Sequence, residues 1–346
     1  MTTATAAFAI RRYAPEDQGA VLELLRLSLG ETPALQRRPE FWRWKHEASP
    51  FGPSFAWVAC APDGRVIGLR ALMRWRFRAG GREVAAVRAV DTATHPAFRR
   101  GGVFSALTRH ALEEVRRAGV ELVFNTPNGA SLPGYLKLGW RPVAAVRPLV
   151  RVLHYPRFLL GLARARLRRQ PSGAPALALR APVPTVGEVL VRGDALEPLL
   201  RQGDDARLAT PRSPGYLAWR YAAHPFVPYY AVTAEERGRV VGLLVVRGSA
   251  RFGLREVMVE ELLLARPDEA LAHGLLGEVR RSVAADHLVA CFAPGSFQRC
   301  ALARWGFREA PLPGARLVVR PLREGLAPDP ARPEAWALTL GDLEVF

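Results

Sequence analysis

Lysine is nearly missing from this sequence. Lys45 and Lys137 are the only two, so the formal charge of +17 rests on arginine. Such a surplus attracts polyanions, yet no basic run is interleaved with aromatics as a single-strand groove would be. Nucleic acid is therefore not expected as a partner, and the arginines read as compositional bias. Cysteine is scarce too: Cys60, Cys291 and Cys300 form neither a CxxC nor a Cys/His cluster spaced for zinc. That excludes a disulfide framework and predicts free, mostly buried thiols with no metal. No run of about eighteen apolar residues is present to span a bilayer. Residues 1–9 lack the basic start and apolar core of a secretory signal, and a cytoplasmic protein is expected.

What is there suffices for two domains, since 346 residues can bury two cores. Phe8 to Arg12 reads as a strand and Pro15 to Asp17 as a helix start. Val21, Leu24, Leu25 and Leu27 to Leu29 supply the apolar face of the helix that follows. Extended stretches over 54–60, 65–78 and 83–94, broken by Pro62-Asp63-Gly64 and Gly80-Gly81, predict an antiparallel meander. A helix is expected from Gly102 to Arg117, then a buried strand over 120–124, a last helix and a last strand.

The chain also repeats itself. Phe41-Trp-Arg-Trp-Lys-His-Glu-Ala-Ser-Pro-Phe51 resembles Tyr216-Leu-Ala-Trp-Arg-Tyr-Ala-Ala-His-Pro-Phe226, and Gly64-Arg-Val-Ile-Gly-Leu69 resembles Gly238-Arg-Val-Val-Gly-Leu243. Leu138-Gly-Trp-Arg141 resembles Trp305-Gly-Phe-Arg308. Three matches in register imply a duplicated domain. The expected division is a domain over 1–150, a basic Pro/Ala-rich linker over 151–184, a second copy over 185–322 and an extended tail over 323–346. In the linker, Leu159, Leu160, Leu162 and Leu167 beside Arg164, Arg166, Arg168 and Arg169 suit either a helix packed on a domain or one resting on a membrane surface.

The chemistry-bearing stretch is Thr94-His-Pro-Ala-Phe-Arg-Arg-Gly-Gly-Val-Phe104, between a strand and a helix. Adjacent glycines leave backbone N–H groups unobstructed, the helix N-terminus adds partial positive charge, and Arg99 and Arg100 add formal charge, a combination suited to a pyrophosphate. The stretch resembles the Arg/Gln-x-x-Gly-x-Gly/Ala loop of the GNAT acyltransferase superfamily. Its Arg-Arg-x-Gly run is similar to that of the enhanced-intracellular-survival acetyltransferases, and Phe104 departs from the usual small residue. Asn128-Gly-Ala-Ser-Leu-Pro-Gly-Tyr-Leu-Lys-Leu-Gly-Trp140 resembles the family's Asn-x-x-Ala/Ser-x-x-x-Tyr-x-x-x-Gly-Phe signature. Ser131 is placed to cap the helix there, Pro133 fits its first turn, and Tyr135 lies one turn along.

The resemblance implies an α/β (α+β) fold of two tandem GNAT-like domains, each a mixed, mostly antiparallel sheet flanked by helices. It implies acetyl-CoA as co-substrate, bound by Thr92, Ala93 and Thr94 on the strand, by the loop residues Arg99, Arg100, Gly101, Gly102, Val103 and Phe104, and by Asn128. Tyr135 is the implied general acid, since a phenol matches a departing thiolate in proton affinity. Asp91, the only carboxylate between Val84 and Thr94, is the candidate general base, with a buried structural acceptor as its competing role. The carboxylate of Phe346 is a further candidate by analogy with the enhanced-intracellular-survival enzymes. Trp42, His46 and Glu47 are the candidate acceptor contacts. The second copy carries acidic Asp268 and Glu269 where phosphates would sit and no counterpart of Tyr135, and is read as degenerate.

The expected activity is direct transfer of an acetyl group from acetyl-CoA to a primary amine, either a small molecule or an amino sugar. An aminoacyl transferase with a tRNA donor and a non-catalytic acyl-CoA sensor remain as alternatives. Peripheral membrane contact and a homo-oligomer stay open.

Overall fold

The computed structural model describes residues 7–32, 35–167, 177–200, 206–251, 253–310 and 314–343. Its strands, in chain order, are β1 (Ala9–Arg12), β2 (Phe55–Cys60), β3 (Val66–Ala79), β4 (Arg82–Thr94), β5 (Leu122–Asn125), β6 (Arg141–Val146), β7 (Leu149–Val152), β8 (Tyr230–Glu236), β9 (Arg239–Arg251), β10 (Leu254–Leu264), β11 (His287–Ala290), β12 (Arg308–Glu309) and β13 (Ala315–Pro321). They form two sheets, ordered β1-β2-β3-β4-β5-β13-β6 and β12-β7-β11-β10-β9-β8. The predicted meander is β2-β3-β4, antiparallel throughout, and β4 then pairs parallel with β5. In the second sheet β8-β9-β10 repeats the meander and β10 pairs parallel with β11.

Two compact units result: 1–144 with 315–333, and 145–314 with 334–346. Boundaries drawn linearly at 150/151 and 322/323 miss this arrangement. β13, though it follows the second copy in sequence, pairs with β5, and β7, which follows the first copy, pairs with β11. A strand whose two edges are both paired in one sheet belongs to that sheet whatever its place in the chain.

In the first unit two helices cover opposite faces of the sheet. Val21, Leu22, Leu24 and Leu25 of the helix Gln18–Leu29 pack on Val58, Leu69 and Ala93. Each such burial contributes roughly 1.5–3 kcal/mol. Leu27 and Leu29 instead point outward, because the 3.6-residue period carries them off the face that meets the sheet. Val103, Leu107, Ala111 and Val115 of the helix Val103–Arg117 lie against the other face. Gly68 lets that helix approach: a Cβ there would come within 2.6 Å of Val103 Cγ1. Gly242 does the same in the second unit, 3.0 Å from Leu275.

In the expected linker, the helix Tyr155–Leu167 packs through Gly161 onto Leu254, leaving Tyr155, Leu159 and Leu160 exposed; residues 168–176 lie outside the described residues. The expected extended tail is packed structure, with Trp336, Leu338, Leu340 and Asp342 buried in the second unit. Phe346 lies outside the described residues. Among the described residues no helix is long and apolar enough to cross a membrane. All three cysteines are free, but only Cys291 is buried, its thiol pushed up to about 12 by burial; Cys60 is half-buried and Cys300 exposed.

Candidate active site

β4 runs to Thr94, whereas its ladder with β5 covers only Ala86 to Arg88. From Ala89 onward the β5-facing edge of β4 has no ladder partner among the described residues, which leaves an edge along which an extended arm can lie. Beyond this edge, His95 accepts a hydrogen bond from the Ala97 amide and opens a short turn over Pro96–Phe98. Arg100 (φ 67°) and Gly102 (φ 80°) then take left-handed conformations and aim the chain into the helix Val103–Arg117. No side chain caps that helix at Gly102, and a Cβ on Gly102 would meet nothing within 4 Å. Its first-turn N–H groups thus carry no side-chain cap at Gly102 and follow directly on exposed Arg99 and Arg100.

The second unit shows the same architecture closed. The helix Glu269–Ser282 begins at Asp268, whose carboxylate accepts from the Leu271 amide at 3.0 Å and occupies the position an anion would take.

Tyr135, on the helix Leu132–Lys137, is buried against Phe104 (centroids 5.5 Å apart, 86° between planes) and Trp140 (5.0 Å). The side chain of Phe104 is therefore packed edge-on against the ring of Tyr135. Gly134 makes room for it, since a Cβ there would lie 2.9 Å from the Phe104 ring. The tyrosine's Oη accepts from Arg70 Nη1 at 2.8 Å, and the same nitrogen donates to Thr92 Oγ1 at 2.7 Å. Asn128 is exposed; its Oδ1 accepts from the Ser131 amide (2.9 Å) and hydroxyl (3.0 Å). The turn is thus capped by Asn128, where the sequence suggested Ser131, because only the asparagine side chain reaches back over the free amide. Ala93 is buried against the first helix, and the Thr94 carbonyl accepts from Ser28.

Asp91 occupies a different environment from the one a general base needs. It sits in the β4 bulge with φ 41°, its side chain 6% exposed, and accepts from Arg37 Nη1 (2.8 Å), Lys45 Nζ (2.7 Å) and His46 Nε2 (3.0 Å). Burial by itself would raise its proton affinity; Lys45, His46 and Arg37 outweigh burial and hold the carboxyl well below the usual range. Burial pushes His46 down, so its neutral ring donates to Asp91 through Nε2 and leaves Nδ1 to accept from the Ser54 hydroxyl at 3.0 Å.

The second unit has a buried acid of the same kind. Glu261 meets Arg212 (3.0 Å) and the Tyr221 hydroxyl (2.7 Å), and Arg212, Arg220 and Tyr221 align in the repeat with Arg37, Lys45 and His46. A cluster retained where the helix N-terminus is closed serves the fold. Trp42, its ring centroid 4.1 Å from that of His46 and 5.1 Å from that of Tyr13 in tilted contacts, is likewise core. Of the three candidate acceptor contacts, only Glu47 is exposed, since the other two fill the space between the first helix and the sheet. Arg37, Lys45, Ser54 and Arg70 were not among the sequence candidates. Among the described residues no cluster of His, Cys, Asp or Glu could hold a metal ion.

Residues 9–143 match the family described as acetyltransferase (GNAT) domain. No curated protein matches the chain in sequence. Solved structures similar in fold include a probable N-acyltransferase of unknown function from Enterococcus faecalis V583, with 12% identity, 92% of this chain and 73% of that chain covered, and a TM-score of 0.63. A GCN5-related N-acetyltransferase from Anabaena variabilis shares 12% identity over the same shares of the two chains, with a TM-score of 0.62. Eis1 from Mycobacterium abscessus shares 16%, covering 91% of this chain and 74% of its own, with a TM-score of 0.56. Residues 9–143 therefore match the acetyltransferase (GNAT) domain family, and the chain as a whole is similar in fold to these solved structures.

Proposed function

We propose that the first unit binds acetyl-CoA and transfers its acetyl group directly to a primary amine of a small molecule or amino sugar. The observation that carries this reading is the open N-terminus of the helix Val103–Arg117 at the end of a free strand edge, in contrast to the second unit's, which Asp268 closes. The pyrophosphate would lie on the helix N-terminus between Arg99 and Arg100, and the pantetheine along the β4 edge from Ala89 to Thr94. The thioester would then lie near Tyr135, whose hydroxyl protonates the departing sulfur. Asp91 is left out of the proton path, because a carboxylate so depressed and so enclosed is a poor acceptor of a proton. Holding thioester and amine together supplies much of the rate.

Titration calorimetry with acetyl-CoA tests the binding half. Arg99→Glu removes a charge-assisted phosphate contact of about 1.5–3 kcal/mol, so the Kd is expected to weaken roughly ten- to hundredfold. No heat of binding for the native protein, or an unchanged Kd for Arg99→Glu, would refute the assignment.

A further inference from the structure

Arg70, in mid-β3, is completely buried. One nitrogen serves both Tyr135 and Thr92, and the guanidinium lies 5.2 Å from the Tyr135 ring centroid and 6.0 Å from that of Phe104. Its Nε and Nη2 are buried with no hydrogen-bond partner among the described residues. A buried cation so incompletely hydrogen-bonded is costly to the fold.

The repeat shows that the fold does not require it. Gly68 and Leu69 stand opposite Ala59 and Val58 as Gly242 and Leu243 stand opposite Ala234 and Thr233, which sets Leu244 at the place of Arg70. Thr94 pairs with Gly68 as Leu264 pairs with Gly242, which sets Leu262 at the place of Thr92. Gly139 and Gly306 each lie beside a carbonyl that accepts from an arginine, Arg320 and Arg151 in turn; counting back from them sets Leu302 at the place of Tyr135. Leu244, Leu262 and Leu302 lie in one apolar cluster. The unit closed to anions thus fills with leucine the positions that are polar in the open one.

We propose that Arg70 is a positioning residue for acyl transfer, acting through Tyr135; this rests on the reading of Tyr135 as general acid. By donating to Oη, Arg70 occupies a lone pair and leaves the phenol's single O–H free for the sulfur. The amine nitrogen attacks the acetyl carbonyl carbon, the C–S bond breaks with its electron pair on sulfur, and the Tyr135 proton passes to that sulfur. The phenolate formed faces a fixed positive charge in a buried site. The proton lost by the attacking nitrogen passes through solvent to the phenolate and restores the Tyr135 phenol, so no further reactant is needed.

The test uses the full chain and thiol release from acetyl-CoA, with the best acceptor from a panel of amino sugars and alkylamines. Arg70→Leu, which installs the repeat's own residue, is expected to lower kcat about tenfold or more, part of the 10²–10⁴ that general acid catalysis supplies. Its Kd for coenzyme A and its Tm should hold. The double variant with Tyr135→Phe should be no slower than Tyr135→Phe alone, because the two act as one device. Arg70→Lys, expected to recover part of the rate, carries the same comparison if the leucine variant does not fold. An unchanged kcat, losses that multiply in the double variant, or a fall in Tm with loss of coenzyme A binding would each overturn the proposal. If Tyr135→Phe is slow and Arg70→Leu is not, only this inference falls; if Tyr135→Phe is fully active, the general-acid reading falls with it.

Discussion

Tyr135→Phe is expected to lower kcat by about 10² or more while leaving the affinity for acetyl-CoA in place, since general acid catalysis supplies about 10²–10⁴. Phenylalanine keeps the packing against Phe104 and Trp140 and removes only the hydroxyl. The structural cost is one hydrogen bond from Arg70, about 1.5–3 kcal/mol for a bond to a charged donor. A domain of this size with its cores intact absorbs that loss, so the activity loss would report chemistry, not unfolding. Thiol release under saturating acetyl-CoA, with calorimetry on the same preparation, separates the two. Full activity in the phenylalanine variant would remove Tyr135 from the reaction.

Much of the first unit was legible because it is written in local signals. The turn at Pro62-Asp63-Gly64, the extended stretches that became β2 to β4 and the glycines at 101 and 102 are each read within a few residues, and the structure places those elements where they were expected. What failed was long-range. Neither β7 nor β13 carries any sign of which sheet it will join, since strand pairing is decided by partners far along the chain. The loop and the Asn128–Trp140 stretch could be read from their pattern, whereas the surroundings of Asp91, Trp42 and His46 depend on burial, which the pattern does not encode. Arg70 escaped although a signal lay beside it: the matching run Gly64 to Leu69 ends one residue short of it, at the point where the second copy changes to leucine. A repeat is informative where it stops repeating, because shared residues report the fold and divergent ones report what only one copy does.

The opposite use of that comparison yields the largest expected effect on stability, at Asp91. Asp91→Asn keeps the shape of the side chain but takes the carboxylate charge away from Arg37 and Lys45, both buried. Removing one partner of a buried ion pair costs about 3–5 kcal/mol, or roughly 10 °C in Tm for a domain of this size. Glu261→Gln should cost less, because burial beside Asp342 already pushes that carboxyl up and its charge is less needed. The pH dependence has a definite sign. A carboxyl whose folded pKa lies below its unfolded value stabilises fully above the unfolded value, about 3.9, and loses that contribution as pH falls through the folded one. The gap in Tm between native protein and Asp91→Asn should therefore be widest near neutrality and shrink in acid. If Asp91 were instead the catalytic base, the asparagine variant would keep its Tm and lose its turnover; thermal melts and thiol release on one sample distinguish the two. Each unit holds a buried acid cluster, and only the unit with the open helix N-terminus carries Arg70, Thr92 and Tyr135 beside it. Stability should therefore track the shared acid, and turnover the unshared trio.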